Sequence, residues 1–288
     1  FRLDGEVSGI GGTSGGVDFK LGASLTRPAT FNPDTSLGLS AALEQLDEPD
    51  YYERKASVGA TLTRQFSDRF QAGAGVTLRY SNVNDDLGGR QFNHVLFPLT
   101  ETWDGRDNKL DAKKGLYLAA TAEPFLGIGG SASGARLTAD ARAYRGFGAK
   151  DRVVLAGRVQ LGSVLGASIK EVPPDMLFFS GGGGTVRGQP YQSLGVDLPG
   201  GERVGGRGFL GLSAEVRVGV TDTIGVVGFA DAGYVTADSI PGSGGEWQSG
   251  AGVGLRYQTG IGPIRLDVAA PVSSGNGVQI YIGIGQAF

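Results

Sequence analysis

The sequence predicts an all-β protein, a transmembrane antiparallel β-barrel of about 14 strands, an even number as in bacterial single-chain barrels. Three observations carry this expectation. Apolar and polar residues alternate with a period of two through most of the chain, which in a strand sends them to opposite faces. Many alternating segments run for roughly 10 to 14 residues, which suits a tilted crossing of a bilayer better than the usual 5 or 6 of soluble sheets. One face is rich in small apolar residues and almost free of charge. The other carries opposite charges side by side, Glu215 with Arg217 and Arg265 with Asp267, as a polar barrel interior would.

Composition narrows the choice further. The chain has 288 residues with 52 Gly, and each Gly inside a helix costs about 1 kcal/mol relative to Ala, so a helical protein is disfavoured. No stretch approaches the roughly 20 uninterrupted apolar residues of a membrane-spanning helix. Cysteine is absent, which removes disulfides, thiolate metal sites and cysteine nucleophiles, and is compatible with the periplasmic side of a membrane. The formal charge is −3 with Lys and Arg interspersed among acids, so there is no footprint for nucleic acid. The sequence begins at Phe1 without an initiator Met or a secretory signal, and reads as a processed or truncated piece.

In chain order, strands are expected near 3–10, 17–27, 36–46, 52–64, 68–82, 92–103, 116–126, 132–147, 151–164, 208–219, 224–235, 246–257, 262–270 and 278–288. The second rests on Val17, Phe19, Leu21, Ala23 and Leu25 against Asp18, Lys20, Ser24 and Thr26. The eighth is the clearest, with Ala135, Leu137, Ala139, Ala141 and Ala143 alternating with Arg136, Thr138, Asp140, Arg142 and Tyr144. The ninth sets Val153, Leu155, Val159 and Leu161 against Arg152, Arg158 and Gln160. In the last, Ile280, Ile282, Ile284 and Phe288 are expected to share one face. The whole of 1–288 reads as one barrel domain. The short turns Ser67-Asp68-Arg69 and Thr221-Asp222-Thr223 are placed on the periplasmic side, and the Gly- and Pro-rich segment 166–206 on the outside. One periplasmic connection, Asp104 to Gly115, is longer than such turns usually are.

The most unusual segment is Phe178-Phe179-Ser180-Gly181-Gly182-Gly183-Gly184-Thr185-Val186-Arg187-Gly188. Four successive glycines are costly to order, which suits an unstructured surface loop. A phosphate cradle is disfavoured, because neither a Lys-Ser/Thr pair nor a helix start follows. A third reading folds the loop back into the lumen, where Arg187 requires acidic partners, with Glu215 and Asp231 on the polar faces of the next two strands as candidates.

This segment, followed by Tyr191-Gln192-Ser193-Leu194-Gly195, resembles the Val-Arg-Gly-Tyr loop signature of the outer-membrane protein insertases and two-partner secretion transporters, and within them most closely the TamA branch. Other segments extend the resemblance over most of the chain. Asp104-Gly-Arg106-Asp107-Asn108-Lys-Leu110-Asp111, continued to Gly115, resembles the family's periplasmic turn. Glu215-Val-Arg217, Phe229-Ala-Asp231-Ala-Gly233 and Gly262-Pro263-Ile264-Arg265-Leu266-Asp267 resemble strands after the signature loop. Tyr281, Gly283 and Phe288 resemble the C-terminal targeting signature of outer-membrane barrels, with Gln286 where an apolar residue is usual; the alternative is an ordinary amphipathic strand.

The resemblance implies a bacterial outer-membrane barrel in which Val186, Arg187 and Gly188 enter the lumen and Arg187 pairs with Glu215 and Asp231. It further implies a weak seam between first and last strands at which client β-strands or autotransporter segments engage, in contact with outer-membrane lipid and with a periplasm-spanning partner protein. An unpaired strand edge is a template for another strand. Gln189-Pro190 departs from the family pattern, displacing the aromatic to Tyr191. The family barrel has about 16 strands against about 14 here, and its periplasmic domains are absent from this sequence. The alternative functions are a two-partner secretion channel and a passive porin.

No enzyme, cofactor or metal is expected. The lone His94 has no Ser and Asp constellation around it and reads as structural. Carboxylates inside the barrel are expected to satisfy lumen arginines rather than to share a proton. Tyr51, Tyr52, Trp103, Tyr117, Tyr234, Trp247 and Tyr257 lie near expected strand ends, where either an interfacial belt or plain packing accounts for them.

Overall fold

The structure, a computed structural model, describes residues 1–9, 15–242, 244–273 and 275–288. The wall strands are β1 (Arg2–Ser8), β2 (Asp18–Arg27), β3 (Thr35–Glu48), β4 (Tyr51–Ser67), β5 (Phe70–Asp85), β6 (Gly88–Leu96), β7 (Leu99–Asp104), β8 (Gly115–Gly127), β9 (Gly134–Phe147) and β10 (Val153–Leu165). A two-residue pair, β11 (Val196–Asp197) and β12 (Arg203–Val204), lies inside the long loop. The wall resumes with β13 (Gly208–Gly219), β14 (Ile224–Thr236), β15 (Glu246–Thr259), β16 (Gly262–Pro271) and β17 (Gln279–Ile284). All wall strands pair antiparallel in one sheet, in chain order from β1 to β17.

β6 and β7 together make one crossing, so among the described residues the wall has 14 crossings, as expected from the sequence, one of them broken. The break falls at Phe97-Pro98 because proline has no N–H for the ladder. Phe97 N donates instead to Pro124 O at 2.8 Å, and Gly75 N to Pro98 O at 2.9 Å. The expected span 92–103 therefore begins earlier, at Gly88, and is interrupted. The polar run around Asp85 and Arg90 extends the β5–β6 hairpin beyond the apolar zone, where alternation with hydrophobic residues gives no signal.

Alternation sets the two faces of the wall. Outward positions such as Leu21, Leu43, Val58, Leu118, Leu155, Val216, Val253, Leu255, Ile280 and Ile282 stay exposed in the isolated chain and form an apolar exterior for lipid. Inward positions carry Glu53, Arg79, Arg187's partners Glu215 and Asp231, Arg217, Arg256 and Asp267. No helix among the described residues is long and apolar enough to cross a membrane; the crossing is made by strands.

The turns 68–69, 105–114, 148–152, 220–223 and 260–261 gather at one end of the wall, and the long loop sits at the other. Of the seven aromatics, Trp103, Trp247 and Tyr257 are exposed near the ends of the outer face. Tyr51 instead stacks on Phe179 of the loop at 6.2 Å, and Tyr117 packs under the guanidinium groups of Arg106 and Arg142. Tyr234 pairs with Trp247 at 5.0 Å and is covered by the following loop, its hydroxyl donating to Gly242 O.

Among the described residues no backbone pairing joins β1 to β17. The last expected strand, 278–288, ends at Ile284. Gly285 adopts φ +86° and turns the chain inward, so Phe288 does not share the outer face of Ile280, Ile282 and Ile284. It is buried in the lumen against Tyr144, Ala112 and Ala156. Arg217 holds it there, its Nη2 donating to Phe288 O at 3.0 Å.

Candidate functional site: the lumen loop and its anchors

The segment 166–206 enters the barrel. Its apolar residues Val172, Met176, Leu177, Phe178 and Leu194 pack on Leu96, Phe125, Val164, Phe209 and Val235 of the inner wall. Fully burying such a side chain contributes about 1.5–3 kcal/mol, which offsets the entropy of ordering so glycine-rich a loop. Two antiparallel bridges, Phe178 with Gly206 and Ser180 with Leu194, fold it into a narrow hairpin that delivers Val186-Arg187-Gly188 to the wall.

Arg187 is 3% exposed and meets three carboxylates. Its Nε and Nη2 donate to the two oxygens of Asp231 at 2.7 and 3.0 Å, and its backbone N–H also donates to Asp231, at 3.1 Å. Nη1 donates to Glu215 at 2.7 Å and approaches Asp267 at 3.4 Å. The guanidinium lies 3.6 Å from the centroid of the Phe229 ring. Such a fork-to-carboxylate pair satisfies buried charges that would otherwise carry a large desolvation penalty. Burial works against the Arg187 cation, but Asp231 and Glu215 outweigh it and hold its pKa above the ordinary arginine value.

Close approach of the loop to the wall depends on two glycines. Gly188 sits at φ +94°, and a Cβ there would lie 2.5 Å from Ala270 O. On the wall, a Cβ at Gly250 would lie 2.0 Å from Arg187 O. Val186 is fully buried beside Gly233. Gly188 N donates to the Tyr281 hydroxyl of β17 at 3.0 Å. The structure thus brings together Val186, Arg187, Gly188, Glu215, Asp231 and Tyr281.

The wall charges pair in a different pattern from the one read in the sequence. Glu215 does accept from Arg217 Nε, at 2.8 Å. Asp267 pairs with Arg256 rather than with its strand neighbour Arg265. Arg265 instead lies beside Gly283, whose would-be Cβ is 3.1 Å from Arg265 Nε, while Arg256 from the adjacent strand and Arg187 from the loop take the two oxygens of Asp267.

A second anchor, at Asp175, gives no sign of itself in the motifs. It reverses the polarity of the first, since here the loop supplies the anion. Asp175 accepts from Lys55 Nζ at 2.9 Å and pairs closely with Arg79, which also donates to Glu53 at 2.9 Å; Lys55 reaches Glu44 at 3.1 Å. Burial would raise the Asp175 carboxyl, but Arg79 and Lys55 outweigh it and hold it at about 2. Lys55 and Arg79 stand on inner faces of neighbouring strands, but Glu44 and Glu53 beside them balance their charge, so the wall residues gave no signal of a further acid.

The long periplasmic turn has its own organisation. Asp104 takes the Arg106 guanidinium through both oxygens, at 2.9 and 2.8 Å. Asp107 accepts from the backbone N–H of Asn108 and Lys113, and Asn108 from Leu110 and Asp111. So shaped, the turn reaches across to the far wall, where Asp111 accepts from Gln258 at 3.2 Å and Gln286 at 2.9 Å, and Leu110 O from Gln286 N. Gln286, polar at an apolar position of the C-terminal signature, also accepts from Arg256 Nε at 2.7 Å. These contacts explain the unusual length of the turn.

His94 is buried between Phe92 and Phe125, with ring centroids at 6.1 and 5.3 Å. Among the described residues no cluster of His, Asp and Glu has a metal-binding arrangement.

The fold is similar to that of BamA from Haemophilus ducreyi lacking POTRA domains 1-3, with TM-score 0.72 and 15% identity over 98% of this chain and 74% of that one. It is also similar to CdiB from Acinetobacter baumannii, with TM-score 0.53, 14% identity and coverage of 96% and 57%. CdiB from Escherichia coli gives 0.59, 14%, 97% and 55%, so the chain spans little more than half of either CdiB chain. The family model described as the Omp85 superfamily domain matches residues 4–288. The chain belongs to the Omp85 superfamily, as a bacterial outer-membrane β-barrel of protein insertion and transport.

Proposed function

We propose that this barrel is an assembly factor that receives β-strand or autotransporter clients at the seam between β1 and β17, closest in kind to the TamA branch. One observation supports the reading above others: the lumen is occupied by a loop with its own buried anchors, which favours pairing at a strand edge over passage through the pore. A client strand can pair with such an edge irrespective of its detailed sequence. The role of Arg187, Glu215 and Asp231 in this reading is to keep the loop seated, and that of Asp104, Arg106, Asp107 and Asn108 to shape the periplasmic turn. No catalysis and no cofactor is called for. Lipid of the outer membrane, client barrels and a periplasm-spanning partner are the interacting species.

The test is to join the seam. The chain has no cysteine, so Val7→Cys on β1 and Ile280→Cys on β17 can be bridged by a bifunctional thiol reagent. Assembly of a client barrel into vesicles is expected to stop when the bridge forms and to resume when it is cleaved; undiminished assembly across a bridged seam overturns the reading. A steady, large single-channel current from the unbridged protein would point instead to a secretion channel or a passive pore.

A further inference from the structure

Four lumen-facing cations of β2–β6 have acidic partners: Lys20 and Lys55 pair with Glu44, Arg79 with Glu53 and Arg90 with Asp85. Arg54 of β4 differs from them. It belongs to the opposite, lipid-side face of the strand, between the outward positions Tyr52 and Ala56, and is exposed. Its Nε donates to the Tyr52 hydroxyl at 2.7 Å, and its guanidinium carbon lies 5.4 Å from the centroid of that ring. Among the described residues no carboxylate pairs with it and neither Nη group has an acceptor. The acid of the same face, Asp47, stands one row further out, opposite Tyr52, and forms no ion pair with Arg54. Tyr52 thus fixes an unneutralised cation on the lipid side of the wall.

The strand register surrounds this cation with amides. Arg54 stands opposite Gln45 on β3 and Asn82 on β5, and Asn82 opposite Gln91 on β6, so the four share one row across neighbouring strands. One row closer to the short turns, the outward residues are Leu43, Ala56 and Tyr80, with Asn93 closing the row. The row after that is wholly apolar, with Ala41, Val58, Leu78 and Val95. Leu43, Val58 and Leu78 are exposed, and the small Ala41 and Ala56 between them leave a groove that starts at Gln45 and Arg54 and continues down the wall. The polar row lies at the end of the wall where the long loop enters, opposite the short turns.

Such a surface matches an amphiphile of particular chemistry. An unneutralised guanidinium takes a phosphate through two parallel hydrogen bonds. Amide side chains both donate and accept, as sugar hydroxyls require. The groove below shelters acyl chains from water. A glycerophospholipid without sugar would leave the row of amides unmatched. A client strand, which seeks an open backbone edge, finds here strands hydrogen-bonded to neighbours on both sides.

We propose that the outer face of β3–β6 is a binding site for a phosphorylated glycolipid of the outer leaflet. Arg54 takes the phosphate, Gln45, Asn82 and Gln91 the sugars, and the groove the acyl chains; Tyr52 is a positioning residue for Arg54. The site goes beyond the assembly reading and does not depend on where clients engage.

The test is native mass spectrometry of the full chain refolded in detergent and titrated with phosphorylated lipid A, with phosphatidylglycerol as the phosphate-bearing lipid that lacks sugar. The parent is expected to retain a single lipid A in preference to phosphatidylglycerol. Arg54→Gln is expected to weaken retention about tenfold, the worth of one charge-assisted hydrogen bond. Ala56→Phe, which fills the groove, is expected to weaken it as well. Asn82→Leu combined with Gln91→Leu should bring lipid A down to the level of phosphatidylglycerol. Arg64→Gln is the control: Arg64 is an outward cation at the turn end of the same strand, over the Phe66 ring, and its loss should leave retention unchanged. These positions lie on the lipid side, outside the packed lumen, and heat-modified gel mobility identifies the folded samples. Parent-like retention in folded Arg54→Gln overturns the proposal, as does an equal loss in Arg64→Gln, which would mark a general attraction of anions to the barrel. Equal retention of phosphatidylglycerol and lipid A by the parent overturns the recognition of sugar. A photoreactive residue at Asn82 that captures a client barrel and no lipid, in vesicles holding both, overturns it too.

Discussion

Replacing Arg187 by Ala isolates the contribution of the loop's first anchor. The substitution leaves Asp231 buried and stripped of its two guanidinium donors, and removes one partner each from Glu215 and Asp267, which keep Arg217 and Arg256. Removing one member of a buried pair costs about 3–5 kcal/mol, mostly as the penalty of an uncompensated buried charge. Since Arg187 is 3% exposed, solvent screening offers little relief. That energy falls on local opening of the loop, not on the wall ladders, so amide exchange is the suitable assay. At about 1.4 kcal/mol per tenfold, exchange at Arg187 and Gly188 is expected to accelerate by roughly two to three and a half orders of magnitude, with the amides of β13 and β14 unchanged. Arg187→Lys should recover only part of the protection, because an ammonium cannot make the two-pronged contact to Asp231. Exchange at Gly188 within threefold of the parent in Arg187→Ala would refute the reasoning.

Asp175→Ala is expected to release the opposite end of the loop, raising exchange over 167–178 by a similar factor while 186–188 stays protected; simultaneous release of both ends would show one cooperative unit instead. The Asp175 carboxyl is depressed, so its contribution is complete above the unfolded value near 4 and is lost as pH falls through about 2; protection of 167–178 should therefore hold from pH 8 to 5 and fail only in strong acid, and a loss near pH 6 would contradict this. Gly250→Val meets Arg187 O, and thermal melting read by heat-modified gel mobility should drop while refolding yield falls; an unchanged melt would mean that the loop can stand off the wall. Phe288→Ala empties a buried site 7% exposed, costing about 3–5 kcal/mol, and the same melting assay should show it; a neutral result would place Phe288 outside the folded core.

Much of the fold can be read directly from the residues. Alternation located every crossing, since a lipid-facing side and a polar lumen impose a period of two on each of them. It failed where one of those environments ends: around Asp85 and Arg90, where both faces are polar, and at Gly285–Phe288, where a left-handed glycine turns the strand inward. The break at Pro98 is a local backbone property, visible in the residue type but hidden by the hydrophobic pattern on either side. The contacts of Arg187 with Glu215 and Asp231 were legible because these two acids lie on the polar faces of the next two strands; its approach to Asp267 was not. Those of Arg265 were not: Glu215 and Arg217 do pair two apart on one strand, but Asp267 is taken by Arg256 from the adjacent strand and by Arg187 from the loop, competitors that spacing along one strand does not reveal. Asp175, Tyr191 and Gln286 act over distances of 120, 143 and 175 residues in sequence, to Lys55, Glu48 and Asp111, and only the curled sheet brings them together.

Client engagement at the unpaired edges is tested most directly by photo-crosslinking. A photoreactive residue is introduced at Leu3 on β1, at Ile282 on β17 and, as a reference, at Leu212 in the middle of the wall, and a radiolabelled client barrel is allowed to assemble in vesicles. Adducts concentrated at Leu3 and Ile282, appearing and disappearing as assembly proceeds and absent at Leu212, are the expected result. Assembly that goes to completion with no adduct at either edge, or with adducts equally abundant at Leu212, would contradict entry at the seam.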